Sequence, residues 1–204
     1  MVLKNNSFSP GDWNNNKDIK YSHNCYEYAL NKISPENGVE CKKMEKENKS
    51  CGYLKHQPGY ASGFPKILNR KYTCKKMEKR IKGDNPLLYK TKKKCKKGFY
   101  KMGLVVRPNR RYHFYRKHAD GTWSHKEGQT AATDKDASGK KITSLKDADR
   151  KYSDRYYSKI CGEYCLPKGK YHRSSHTVVT KKKKSDKGKR KGLKKRVYTK
   201  RHNL

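Results

Sequence analysis

The chain has 204 residues with 54 Lys and Arg against 18 Asp and Glu, a formal net charge of +36, and only 31% of its residues are hydrophobic. That length holds one domain with extensions, and an apolar share well below the roughly 45–50% of ordinary globular chains leaves room for a thin core only. Like charge along the whole length opposes compaction until an anionic surface neutralises it. The composition therefore excludes a chain indifferent to polyanions, and no stretch approaches the ~20 apolar residues of a membrane span.

Residues 1–20 are Asn-rich and polar and read as an arm. They lack the apolar segment of a signal peptide, which predicts synthesis in the cytoplasm without export by the usual route. A helix is predicted from Asn24, where the asparagine caps the first turn and Glu27 completes a capping box. Tyr26, Ala29, Leu30 and Ile33 then share one face, and Ser34-Pro35 ends the helix. From 35 to 97 the chain is Lys-rich. Cys-Lys-Lys-Met-Glu-Lys begins at Cys41 and again at Cys74, and Cys-Lys-Lys recurs at Cys95. The unmatched flanks point to compositional bias rather than a repeat. The second copy sets Cys74, Met77 and Ile81 on one helical face, and Gln57-Pro58-Gly59 is a turn.

The clearest order follows. Phe99 to Val106 reads as a strand, Pro108-Asn109 as a turn and Tyr112 to Tyr115 as a second strand. Asp120-Gly121 is a hairpin turn and Thr122 to Lys126 a third strand. Residues 131–140 form a polar loop. A short helix is expected within 145–165, ending at Cys161-Gly162-Glu163-Tyr164-Cys165, and Val178-Val179 adds an edge strand. The result is an α+β domain over 21–166, a Cys-bearing helix packed on a small antiparallel sheet, with an arm over 1–20 and a basic tail over 167–204. In that tail Asp186 is the sole acid. Such a block cannot bury apolar surface. Its Lys181, Lys182, Lys183, Lys184, Lys187, Lys189, Arg190, Lys191, Lys194, Lys195 and Arg196 are expected to lie along phosphates or another polyanion.

Seven cysteines are present: Cys25, Cys41, Cys51, Cys74, Cys95, Cys161 and Cys165. They are reduced, bind metal, or bridge in an assembly oxidised late. Cys161 and Cys165, with His172 or His176, lack a second well-spaced pair, so disulfides or buried thiols are preferred over zinc. Asp134 to Gly139 begins like a calcium loop, but Leu145 stands where the bidentate acid belongs, so the stretch is an ordinary turn. No metal or cofactor is called for. His23 and His118 read as surface residues and Trp123 as a core anchor.

Cys25 falls at the first position of the predicted helix, where the dipole and free N–H groups lower a thiol's pKa. A nucleophilic cysteine needs a base, for which His113 is chosen, and a group to orient that base, for which His125 is chosen. Register decides between two geometries. A two-residue Asp120-Gly121 hairpin puts the histidines on opposite faces; a three-residue Ala119-Asp120-Gly121 loop puts them on one face. A plain buried cysteine is the alternative for Cys25.

Asn24-Cys25-Tyr26-Glu27-Tyr28-Ala29-Leu30, Gln57-Pro58-Gly59, Tyr112-His113-Phe114-Tyr115-Arg116 and Asp120-Gly121-Thr122-Trp123-Ser124-His125-Lys126 together resemble the papain-like cysteine hydrolases, nearest to CHAP-type and NlpC-type amidases and peptidases. The resemblance covers roughly residues 20–165. It implies Cys25 as nucleophile, His113 as base and His125 as the orienting residue. After Pro58-Gly59 those enzymes carry an acid and an apolar run, whereas this chain has Tyr60-Ala61-Ser62-Gly63. The Lys-rich composition and tail resemble virion proteins of large nucleocytoplasmic DNA viruses. Three functions are consistent with the sequence: a cysteine amidase or peptidase, a structural minor capsid protein with capsid proteins or other assembly subunits as partners, and a nucleic-acid-binding protein of another assembly such as a ribosome.

Overall fold

The computed structural model describes residues 7–51, 54, 56–67 and 70–169. Within them one antiparallel sheet of six strands runs in the order β1-β6-β2-β3-β4-β5. The strands are β1 (Tyr89–Lys90), β2 (Phe99–Arg107), β3 (Arg111–Lys117), β4 (Trp123–Lys126), β5 (Ala132–Thr133) and β6 (Lys159–Pro167). Five helices accompany them: α1 (Gly11–Asn14), α2 (Lys17–Ser22), α3 (Cys25–Ala29), α4 (Pro35–Lys46) and α5 (Cys74–Asp84). The α+β class and the helix-on-sheet arrangement expected from the sequence are what forms.

Both sheet faces are covered, which is why β2 is buried along almost its whole length. On one face Met102, Leu104, Val106 and Phe114 pack with Tyr26, Ala29 and Leu30 of α3 and with Met77 and Ile81 of α5. On the other, Val105, Tyr115 and Trp123 meet Ile142, Leu145, Ala148 and Tyr157 from the long segment between β5 and β6. Gly103 permits this second layer, since a Cβ there would collide with Leu145. The pairing of β3 with β4 matches Lys117 to Trp123 and Tyr115 to His125. His118 N–H reaches Thr122 O at 2.8 Å, and Gly121 takes a φ of 88°. The turn is therefore the three-residue loop, and His113 and His125 share a face.

Several expectations are corrected. From residue 10 the polar arm is folded: Trp13 and Ile19 are buried with Tyr28 and Ile33. Asn14 trades hydrogen bonds with the backbone of Ala132 at 3.0 and 2.7 Å, acting as an extra strand position beside β5. One tryptophan and one backbone-mimicking amide outweigh the polar composition there. Helix α3 stops at Ala29, because Asn31 turns left-handed at φ 51°. Pro35 opens α4 at a position where its missing N–H costs nothing. The expected helix in 145–165 is replaced by turns and by β6. His23 and His118 are buried, His23 accepting the Ser34 N–H at 2.9 Å. The Asp134–Gly139 turn stands: the Asp136 carboxylate is spent on backbone N–H groups of Ser138, Lys140 and Asp149. No helix among the described residues is long and apolar enough to cross a membrane. His172, His176, Val178-Val179 and the tail lysines and arginines lie outside the described residues.

Six cysteines form Cys41–Cys51, Cys74–Cys161 and Cys95–Cys165. The second ties the start of α5 to β6 and the third ties the Lys92–Lys97 loop to β6. Cys161 and Cys165 therefore carry no zinc. Cys25 alone is a free thiol. Alkylation under denaturing conditions without reductant is expected to modify Cys25 only, with all seven cysteines modified after reduction, as read by peptide mass mapping. Replacing Cys74 and Cys161 together by Ala opens a loop of 87 residues and should lower stability in guanidinium unfolding by about 4 kcal/mol.

Candidate thiol and histidine site

Asn24 explains why α3 starts where it does. Its Oδ1 accepts the N–H groups of Tyr26 and Glu27 at 2.8 and 3.1 Å, and its own N–H donates to Glu27 Oε2 at 2.9 Å. Its Nδ2 donates to His56 O at 3.0 Å, so the same residue fixes the loop before Gln57. Cys25 is thereby held, buried, at the first helical position, with the Phe114 N–H of β3 directed at the thiol. Burial pushes the thiol up to about 12, Glu127 adds to the rise, and the Phe114 N–H offsets part of it. The lowered pKa expected at a helix start is thus overturned: a helix of five residues offers little field against full desolvation. Cys25 is a neutral thiol at rest.

The two histidines follow from the β3–β4 register. His113 Nε2 lies 2.9 Å from His125 Nδ1, and His125 Nε2 lies 3.0 Å from Lys135 O. Burial lowers both imidazoles, His113 to about 4, so both are neutral at pH 7. A carbonyl only accepts, so His125 carries its proton on Nε2. Its bare Nδ1 must then accept from His113 Nε2–H. That leaves His113 Nδ1 as the nitrogen with a free lone pair, the state a general base requires.

Nδ1 of His113 faces Glu127 Oε2 at 3.5 Å. Oε1 of Glu127 accepts from Tyr157 OH at 2.6 Å and pairs with Arg155 Nη1 at 3.0 Å, but Oε2 is buried without a hydrogen bond. Two lone pairs face each other, which accounts for the orphaned oxygen. Burial raises the Glu127 carboxyl, yet His113, Tyr157 and Arg155 together hold it down at about 2. A proton arriving on His113 Nδ1 would meet a carboxylate already in place.

The structure thus brings His113 and His125 together as expected. It places them on the face shared with Tyr115 and Tyr157, while the body of α3 covers the other face. Cys25 packs in the α3 layer with Tyr26 and Phe114, its thiol taking the Phe114 N–H of β3, and among the described residues no hydrogen bond joins its sulfur to His113. Glu127, Tyr157 and Arg155 were missed in the sequence. Glu127 had a signal: it has the parity of His125 and stands opposite His113 once the three-residue loop is adopted.

His113, His125 and Glu127 each offer one ligand atom, all within 4.8 Å of one another, so a divalent cation has three donors here. Binding it would cost the His113–His125 hydrogen bond. Cys41, Glu45 and Cys51 also cluster, but both sulfurs are already in a disulfide.

Glu27 gives the site a pH signature. Burial raises its carboxyl to about 8, while N–H groups of Asn24 and His56 and the charges of Lys32 and Lys126 pull the other way. A raised folded-state pKa means folding retains a proton that the unfolded chain has released, so stability falls between pH ~4.5 and 8. His23 and His113, lowered to about 4, act in the opposite sense up to pH ~6.5. The prediction is a stability that rises to about pH 6.5 and declines from there to about pH 8. Glu27→Gln should flatten the decline, removing up to about 1.4 kcal/mol per pH unit; urea unfolding across this range measures it.

No known protein family matches the chain, and no solved structure matches it. Over 54 residues it is 50% identical to "Insoluble matrix shell protein 1" of Ruditapes philippinarum. That stretch is 26% of this chain and 36% of the shell protein, so the match spans about a third of the relative.

Proposed function

We propose that the chain is a papain-like thiol hydrolase, an amidase or peptidase acting by acyl transfer, that works in an extracellular or particle-bound polyanionic assembly. The observation that carries the reading is the 2.9 Å contact between His113 Nε2 and His125 Nδ1, which leaves Nδ1 of His113 unprotonated and able to accept, on the strand that receives Cys25. In the first step the Cys25 S–H proton passes to His113 Nδ1 while sulfur attacks the amide carbonyl. The imidazolium so formed is stabilised by the Glu127 carboxylate, whose Oε2 gains the hydrogen bond it lacks. Nδ1–H then protonates the leaving amine, giving a thioester. Water, deprotonated by His113, hydrolyses it and returns the proton to sulfur.

Resting neutrality of both partners makes Glu127 the positioning and charge-balancing residue rather than an ornament of the cluster. Cys25→Ser and His113→Ala should each abolish acylation by a p-nitrophenyl ester probe, read as nitrophenolate release and as a mass increase on the protein. Glu127→Gln should slow it by about tenfold or more, the scale of one lost charge contact in a dry site. Labelling that survives His113→Ala would sink the hydrolase reading. Activity lost in EDTA and restored by zinc would favour a metal centre at His113, His125 and Glu127 instead.

A second reading, a structural matrix component, is favoured by the three disulfides and the shell-protein match. Disulfides suit an oxidising compartment. The same match supports a shell matrix as the assembly, beside the virion and the ribosome expected from the sequence. The two readings share the polyanion: in either, the segment 167–204 holds the protein to an anionic surface. Its deletion should weaken binding to heparin or DNA and make the loss of binding with added salt much shallower, as read by fluorescence anisotropy between 50 and 300 mM salt (roughly the range over which counterion release acts).

A further inference from the structure

A cleft of about 280 Å³ is lined by Gln57, Arg70, Tyr72, Arg110, Arg111 and Tyr112. It is built, not incidental. Asn109 N–H donates to Tyr72 O at 3.0 Å, tying the β2–β3 turn to the segment before α5. The Tyr72 and Tyr112 rings meet edge-on at 5.1 Å, and Tyr112 OH donates to Gln57 Oε1. Among the described residues no carboxylate lies within ion-pair distance of Arg70, Arg110 or Arg111, in contrast to Arg155, which has two acidic partners. Asp154 feels Arg111 but is itself paired with Arg155, so the three guanidinium groups around the cleft still repel one another and are best relieved by an oxyanion, which planar guanidinium binds in bidentate fashion.

The cleft flanks the thiol from both sides of the chain. Tyr112 immediately precedes His113 on β3, and its ring packs on the α3 side of the sheet beside Phe114, in the layer that holds Cys25. Gln57 immediately follows His56, whose carbonyl is held by Asn24, the residue before Cys25. Consistent with this, the Tyr112 phenol and the Cys25 thiol feel one another, and Arg111 is felt by Tyr157, the donor to Glu127.

We propose that this arginine cleft is the specificity site of the Cys25 centre and takes an oxyanion, carboxylate or phosphate, carried on a peptide substrate beside the attacked amide. The proposal rests on the hydrolase reading for its location but not for its ligand chemistry. A chain with this many lysines that acted on basic peptides would have to attract them against its own field, and its field would not draw in neutral ones. An acidic substrate is drawn in by the same field and then fixed by the three arginines.

The test has two arms on the full, oxidised chain. In the first, Cys25 is alkylated by iodoacetate and by iodoacetamide; sulfur bonds to the CH₂, iodide leaves with the electron pair, and the thiol proton goes to His113 Nδ1. Iodoacetate is expected to gain about tenfold over iodoacetamide relative to a free thiol, the scale of one charge-assisted contact. Arg70→Gln/Arg110→Gln/Arg111→Gln should abolish the gain. Lys92→Gln/Lys93→Gln/Lys94→Gln, which removes equal charge elsewhere, should keep it. An equal effect of the two triple variants would overturn the cleft. Failure of both reagents to modify Cys25 would instead count against the nucleophile. The second arm needs no reactive thiol. Cys25→Ala protein is titrated with fluorescein-labelled peptides that differ at one position (Glu, phosphoserine, Gln or Lys). The proposal expects Glu or phosphoserine to bind at least about tenfold tighter than Gln, the preference between them naming the oxyanion, and the arginine variant to erase the difference. Indifference to that position would refute it.

Discussion

Asn24 is the residue on which the site's geometry hangs. Its side chain satisfies two orphan N–H groups of α3, its amide nitrogen anchors His56 O, and its backbone N–H is taken by Glu27. All of these groups are buried, so none has water as a substitute partner. Removing the side chain would strand donors at the helix start and free the loop that carries Gln57. Asp84 performs the matching task from α5. It accepts from Gly59 N–H at 2.5 Å, from Ser62 N–H at 2.9 Å and from Tyr26 OH at 3.0 Å. Gly59 sits at φ 90°, and a Cβ there would press on Arg80 and Phe64 at 2.9 Å. Two buried polar side chains, one at each end, thus clamp the start of α3, the Pro58-Gly59 turn and α5 into one body. The thiol's position is a consequence.

The same scarcity of acids shapes how a chain of net charge +36 makes a core. Buried cations have few carboxylates to pair with, and several turn to carbonyl oxygens instead. Lys126 Nζ donates to Lys20 O, His23 O and Gly128 O at 2.6 to 2.9 Å, joining α2, the approach to α3 and the turn after β4. Arg80 binds Pro58 O and Pro65 O, each at 2.6 Å, and Arg116 reaches Tyr28 O and Asn31 Oδ1. Each such cation satisfies carbonyls that the short helices and loops leave open. Charge that composition marks only as repulsive serves in these places as internal cross-linking. The disulfides add covalent ties where the apolar layers are thin, at α4 and along β6.

The sequence showed most clearly where the signal was local. The capping box at Asn24 and Glu27 and the strands around Tyr112 and Trp123 are written within a few residues, and all form. The shared face of the histidines depended on loop length, which Ala119-Asp120-Gly121 left as two options until the His118–Thr122 bond settled it. What failed was what tertiary contact decides. Trp13 and Ile19 lie in a polar stretch, and their burial depends on Tyr28 and Ala132, far along the chain. Cys161 and Cys165 sit at a spacing that suits a helical turn, but pairing with β2 made the segment a strand. The thiol's pKa departs from the helix-start expectation for the same reason: that rule describes an exposed or half-exposed sulfur, and burial reverses it.

That reversal changes what would activate the sulfur in the proposed hydrolase. A thiolate held by an imidazolium is charged before substrate arrives; here the histidine proton chain ends in a bare Nδ1 and the thiol keeps its proton. In that proposal charge separation would occur in the transition state, in a dry site where an isolated ion pair is costly. Glu127 is the group that offsets this cost, since its charge is held by Arg155 and Tyr157 before the proton moves and needs no reorganisation when it does. In the proposed specificity role the arginine cleft would act on the other side of that reaction, holding an anion near the carbonyl to be attacked. A neutral thiol adds no repulsion to that anion, whereas a resting thiolate would oppose an acidic substrate at close range, and the Glu127 charge is already paired with Arg155. Neutrality of the Cys25–His113 pair and a preference for anionic substrates are therefore mutually consistent.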